Sequence, residues 1–246
     1  MKKKATLSAS TGAAVVLIVL ACSTQQASTE DPIVSGFKKT TVASVADAVD
    51  QITGERGFMS HDMRPRVEGV VVGRAITALV RPAPPEKATP PLAVKHSVEM
   101  IDNSKEGEVG VIVMEDGLDV AAIGGLMGTA AKARGMAGMI LDGGVRDLAE
   151  LRELGLPVYA RSISPATAVS RYASVEKMTP VKCAGVTVKP GDIIVAGEDG
   201  VVRVPREKEA EILKRAQEID ERETKMVPLI KEHRSLQKVI EIFNRI

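Results

Sequence analysis

The stretch GGLMGTAAKARGMAGMILDGGVRD, residues 124–147, decides how this chain is read. Paired glycines open it, an Ala-rich helical segment follows, and a short apolar strand at 139–141 leads to a second glycine pair and an Arg-Asp dipeptide. Glycines let backbone N–H groups approach a ligand closely, and a helix N-terminus favours anions there. Arg146 offers a planar fork to a carboxylate, and Asp147 offers hard oxygen to a divalent cation. An anion cradle, a guanidinium and a metal-type carboxylate so close together imply a site for a small organic acid.

Elements can be read outward from that stretch. Upstream, residues 42–52 form a helix with Val42, Val45, Ala46 and Val49 on one face. Residues 61–66 are irregular, and 67–80 is an apolar β-rich run broken at Gly69 and Gly73. Residues 81–91 hold five prolines and are expected as a loop or an extended crossing, one that could cover a site. A helix at 92–102 precedes a strand at 109–114 that is apolar enough to be buried on both faces. Downstream, 147–154 is a helix closed by Gly155, and strands follow at 156–160, 181–188, 192–196 and 201–204. Pro205 opens a C-terminal helix striped by Ile212, Leu213, Ala216, Ile219 and Met226; Pro228 is expected to break it before a second arm at 229–246. The class is α/β, a single domain with a mixed β-sheet flanked by helices and a C-terminal helical arm from about residue 205.

Composition narrows the function. Setting aside Lys2, Lys3 and Lys4, the chain carries 30 basic against 32 acidic residues, with no Trp, two Tyr and three Phe. Nucleic-acid binding, which needs phosphate-neutralising charge and stacking aromatics, is disfavoured. Cys183 lies in the strand-like VKCAGVTV and reads as a buried, inert thiol.

The N-terminus reads as a targeting segment. Three lysines precede an apolar run at 13–21, too short for a comfortable membrane span. The junction Val19-Leu20-Ala21-Cys22 resembles the lipobox of bacterial lipoproteins. Residues 1–21 are therefore expected to be a lipoprotein signal peptide, Cys22 the lipidated residue and 22–37 a flexible tether to the domain at 38–246. The alternative is an ordinary signal or uncleaved anchor with an incidental cysteine. Either way an exported protein is expected, a lipoprotein at the cell envelope or a secreted one, touching membrane only through the N-terminal signal or its lipid anchor.

The run from Gly124 to Pro157, with RGMAGMILDGGVRD and ELGLPVYAR, resembles the RraA-like family. MRPRVEGVVVGRAITA upstream and VKPGDIIVAGEDGVVRVPREKEAEIL downstream extend the resemblance. That family includes 4-hydroxy-4-methyl-2-oxoglutarate aldolases, also known as oxaloacetate decarboxylases, and regulators of a ribonuclease. The resemblance implies a swivelling-domain-like β core and a homo-oligomer, trimer or hexamer, with sites at subunit boundaries. It assigns the substrate-cradling loop to Gly124, Gly125, Leu126 and Met127, the substrate-binding arginine to Arg146 and the metal-binding aspartate to Asp147. Mg²⁺ or Mn²⁺ suits such an oxygen site, and a small 2-oxo acid, cleaved by retro-aldol or decarboxylation through a pyruvate enolate, is the implied substrate.

Active relatives tend to carry an acidic residue in the loop where this chain has Gly125 and Leu126. Asp116, Asp119, Glu221 and Glu223 are the substitutes considered, each read more simply as a surface charge. Asp142 is expected either to orient Arg146 or to cap its turn. Lys132 reads as solvated, and His61, His96 and His233 lack metal spacing. A non-catalytic binding or regulatory protein on the same scaffold is the alternative function.

Overall fold

The computed structural model describes residues 31–243. The signal peptide expected at 1–21, Cys22 and the start of the tether lie outside the described residues. The tether's end does not: Asp31 accepts from the Ile33 amide and caps α1 (Pro32–Phe37), which buries Val34 and Phe37. A six-residue helix is too short to show periodicity against a polar background, and tertiary burial makes it. The Thr41 side chain caps α2 (Val42–Thr53), and left-handed Gly54 ends it.

β1 (Arg64–Val67) and β2 (Val71–Pro82) lead through the proline-rich turn to α3 (Pro90–Asp102), β3 (Val109–Met114) and β4 (Ala121–Ile123). Then come α4 (Gly125–Ala133), β5 (Gly138–Val145), α5 (Leu148–Leu154) and β6 (Val158–Ile163). The β-rich remainder is β7 (Tyr172–Lys177), β8 (Val181–Cys183), β9 (Val186–Val188), β10 (Ile193–Gly197) and β11 (Gly200–Val204). After a 3₁₀ turn at Arg206–Lys208, α6 (Glu209–His233) and α7 (Leu236–Phe243) form the C-terminal arm.

One mixed sheet runs β1-β6-β5-β3-β2-β10-β11, with β4 added on β5 and β7 on β2. Strands β2, β3, β5 and β6 are mutually parallel, whereas β1, β7, β10 and β11 run antiparallel to their neighbours. The class read from the sequence is the class observed.

Alternation along the parallel strands builds two cores. Ile112, Leu141 and Val158 face α3, α4 and α5, while Val111, Val113, Ile140 and Tyr159 face the β8–β9 hairpin. Every residue of β3 is buried, as its unbroken apolar run requires. A third cluster packs α1, α2 and α6 on β10 and β11 through Phe37, Val49, Ile193, Val202 and Ile212.

Several sequence expectations change. Gly73 lies inside β2 rather than breaking it, because a Cβ there would overlap the Gly107 carbonyl; the glycine permits close backbone approach. β1 takes up part of the stretch read as irregular, and β5 runs on through both glycines to Val145. The strand expected at 181–188 is a hairpin, turned by left-handed Ala184 and Gly185. Pro228 sits inside α6, which ends at left-handed Arg234. Proline removes one ladder hydrogen bond, but its φ is helical, so a long packed helix can absorb it.

Leu141 is fully buried between α4, α5 and the sheet. Leu141→Ala should cost about 3 kcal/mol in urea unfolding, with the denaturant slope unchanged.

Candidate functional site

The site is made by the edge of β5. Short β4 pairs in parallel with its end, Ala121 opposite Gly144 and Ile123 opposite Val145. The Gly144 amide donates to the Val120 carbonyl at 2.9 Å and the Arg146 amide to the Ile123 carbonyl at 3.2 Å. A Cβ on Gly144 would stand 2.7 Å from the Val120 oxygen, so the pairing needs glycine. It lays the Gly124–Gly125 turn against Arg146 and Asp147, as the sequence reading required.

Asp147 is the pivot. Its backbone is left-handed, φ 56° and ψ 41°, a conformation that Asp tolerates better than most residues. Its side chain does not cap its own helix α5. Instead Oδ2 accepts from the Gly125 amide at 2.9 Å, at the start of α4, and lies 3.6 Å from Arg146 Nε. Both side chains are 40% exposed, open enough to meet a ligand. Asp147 Oδ1 has no hydrogen bond among the described residues.

A Cβ on Gly124 would overlap Asp147 Oδ2 and come within 2.9 Å of Arg146 Nε; one on Gly125 would overlap Glu150 Oε2. At Gly124 the overlap is with a carboxylate held in place by the Gly125 amide, whereas at Gly125 it is with the free end of an exposed side chain that can shift. Leu126 is 90% exposed at this rim. Met127 departs from the expected cradle: its side chain packs partly buried on the α-side core, leaving only its backbone for a ligand. A cleft of about 380 Å³ adjoins, lined by Arg146, Asp147, Leu148, Ile163, Ser164 and Pro165.

A larger cleft, about 760 Å³, lies beside Arg81, Asp116, Asp142, Arg161 and Lys182. Most of its charges are satisfied internally. Arg161 spans Asp62 at 2.8 Å and Asp142 at 2.9 Å, and Arg81 pairs with Glu115 at 2.8 Å. Asp142 also accepts from the Ala184 amide, so it fixes the hairpin turn and Arg161 rather than Arg146. Arg146 and Asp147 line the smaller cleft instead, and the Gly125 amide reaches it through its hydrogen bond to Asp147.

Burial acts to raise the Asp62 carboxyl, but hydrogen bonds from Arg161 and Ser60 and the Arg161 charge overcome it, taking it down to about 2. Burial pushes the Cys183 thiol well up, and the thiol contacts Met59 Sδ at 3.8 Å, in keeping with a buried, inert cysteine. Lys132 donates to the Gly155 carbonyl, and His96 pairs with Glu99. Asp119, Glu221 and Glu223 are exposed, and Asp116 borders the larger cleft. Among the described residues, no group of three or more His, Cys, Asp or Glu side chains gathers to hold a metal. What the sequence reading missed is Glu150. Its place one helical turn after Asp147 could have suggested a shared face.

Two predictions follow from this geometry. Gly124→Ala should displace the Asp147 carboxylate and shift the Gly125 amide resonance, with Gly185 unmoved. A depressed folded-state pKa gives stability that is present above the usual value of 3.8 and lost as pH falls toward about 2. The stability gap between wild type and Asp62→Asn, read by urea midpoints, should therefore shrink across that window.

Residues 42–203 match the RraA-like family, described as Aldolase/RraA. An uncharacterized protein of Methanocaldococcus jannaschii is 36% identical over 134 residues, 54% of this chain and 64% of its own length. The chain thus spans a little under two thirds of that relative. A putative 4-hydroxy-4-methyl-2-oxoglutarate aldolase of Halalkalibacterium halodurans is 28% identical over 189 residues, 76% of this chain and 83% of that one. Among solved structures, Streptomyces coelicolor RraAS2, described as an unusual member of the RNase ES inhibitor RraA protein family, superposes with a TM-score of 0.69 at 25% identity. The superposition covers 79% of this chain and 95% of that one.

Proposed function

From the premise that this chain belongs to the RraA-like family, we propose that it is a lyase acting on a small 2-oxo acid and releasing pyruvate, by retro-aldol cleavage of a 4-hydroxy-2-oxo acid, by decarboxylation of oxaloacetate, or both. The observation that carries this reading is that Arg146 and Asp147 line one cleft, with Asp147 Oδ2 held by the Gly125 amide at the start of α4. Relatives named as 4-hydroxy-4-methyl-2-oxoglutarate aldolases support it.

In this reading Arg146 holds the substrate carboxylate through its fork, and the α4 N-terminus stabilises the negative charge that grows on the keto oxygen. Asp147 is the residue that would hold a divalent cation. Its Oδ2 is oriented by the Gly125 amide, and Oδ1 makes no hydrogen bond among the described residues. A single protein carboxylate with several waters is a common Mg²⁺ donor set, so the residues fit. Such an ion supplies positive charge at the keto oxygen. Cleavage of the C3–C4 bond leaves an electron pair on the pyruvyl fragment. Both reactions share that demand, which is why one site serves either.

Ile163, 57% exposed, lines the cleft, and Leu126, 90% exposed, follows Gly125 at the start of α4. They favour a homo-oligomer in which a neighbouring copy covers this rim, in line with a trimer or hexamer. The same apolar rim is the observation that favours the second reading, a non-catalytic protein that holds a partner there. The N-terminal sequence supports placement at the cell envelope.

The test is pyruvate release from oxaloacetate and from 4-hydroxy-4-methyl-2-oxoglutarate, with Mg²⁺ or with a chelator. Chelation should abolish turnover, and Arg146→Ala and Asp147→Ala should each lower kcat/KM at least about 100-fold while circular dichroism is unchanged. Absence of metal-dependent turnover, with one stoichiometric protein partner captured, would favour the second reading.

A further inference from the structure

We propose that the preferred substrate is a 4-hydroxy-2-oxo acid with an uncharged tail, a monocarboxylate rather than a dicarboxylate. The proposal rests on the lyase reading above and names the substrate class for the same site. Leu148, Ile163, Ser164 and Pro165 form the wall of the cleft beside Arg146 and Asp147. Of the described residues that line this cleft, Arg146 alone carries positive charge. A guanidinium fork seats one carboxylate, and the pyruvyl end of the substrate takes it.

The remaining wall is poorly suited to a second carboxylate. Leu148 and Ile163 are aliphatic, and Pro165 has no N–H. The Ser164 hydroxyl donates to the Asp119 carbonyl at 2.5 Å, and its amide donates to the Val145 carbonyl at 3.1 Å, so both of its protons are engaged. Arg81, Arg161 and Lys182 line the larger cleft instead, and the two arginines already face carboxylates there. A carboxylate pressed against the smaller cleft's wall loses hydration with no partner to replace it, whereas a methyl group gains by burial. Ile163, 57% exposed at the end of β6, is open to meet that tail.

Two acids isolate the effect. 4-Hydroxy-2-oxopentanoate ends in a methyl group where 4-hydroxy-2-oxoglutarate ends in a carboxylate, and they are otherwise the same. In each, the C4 hydroxyl loses its proton, the C3–C4 bond breaks and C4 becomes a carbonyl. The bonding pair stays on C3, where a proton returns. The first acid yields pyruvate and acetaldehyde, the second pyruvate and glyoxylate, so one pyruvate assay reads both.

Both acids are given to the full-length protein with Mg²⁺, as wild type and as Ile163→Arg and Pro165→Arg, two exposed wall positions. Wild-type kcat/KM should be at least about tenfold higher for 4-hydroxy-2-oxopentanoate, with most of the difference in KM. Either arginine sets a second guanidinium against the tail and should shift that ratio at least about tenfold toward 4-hydroxy-2-oxoglutarate. A wild-type preference for 4-hydroxy-2-oxoglutarate, or a ratio that neither arginine moves, overturns this inference and leaves the lyase reading standing. Release of pyruvate from neither acid, nor from oxaloacetate, overturns that reading and this inference with it.

Discussion

The structure of the site depends on the pairing of a three-residue strand with two glycines. Where β5 continues past its apolar segment, its partner on one side is β4, and the contact is close enough that Gly144 leaves no room for a Cβ beside the Val120 carbonyl. Two backbone hydrogen bonds, Gly144 to Val120 and Arg146 to Ile123, then bring together chain segments 22 residues apart, Gly125 and Asp147.

The charge pattern around the strand ends follows from the same arrangement. Strands β2, β3, β5 and β6 point their C-terminal ends the same way, and open parallel sheets bind ligands at that end. Two clefts form there with different electrostatics. In the larger, Arg161 links two aspartates, which ties β6 to the β8–β9 hairpin and holds Asp62 strongly ionised. In the smaller, Arg146 and Asp147 remain 40% exposed, with their polar atoms only partly engaged. Internal pairing ties up the charges of the first cleft, and incomplete pairing leaves those of the second open to solvent.

Much of this was legible in sequence because it is local. The apolar run 109–114 is a buried strand to the residue, and the first glycine pair opens the Ala-rich helix as expected. The losses have non-local causes. β4 is three residues long, β7 is polar on much of its surface, and both are strands because of the neighbours they pair with. Pro228 reads locally as a stop, yet burial of Ile219 and Met226 along α6 outweighs one missing ladder bond. Asp142 looked like a partner for Arg146 four residues on; strand alternation sends it instead toward the hairpin and Arg161. The left-handed backbone of Asp147 and the seat of Glu150 over Gly125 are tertiary facts, invisible to spacing alone.

The central claim is that the edge formed by Gly124, Gly125, Arg146 and Asp147 receives a small organic acid. A crystal structure with oxalate and Mg²⁺ tests it directly. The account predicts oxalate bridging the Arg146 guanidinium and the first amides of α4, with the ion about 2.1 Å from an Asp147 oxygen. Oxalate seated instead in the cleft of Asp142 and Arg161, with Asp147 still turned only to the Gly125 amide, would contradict it.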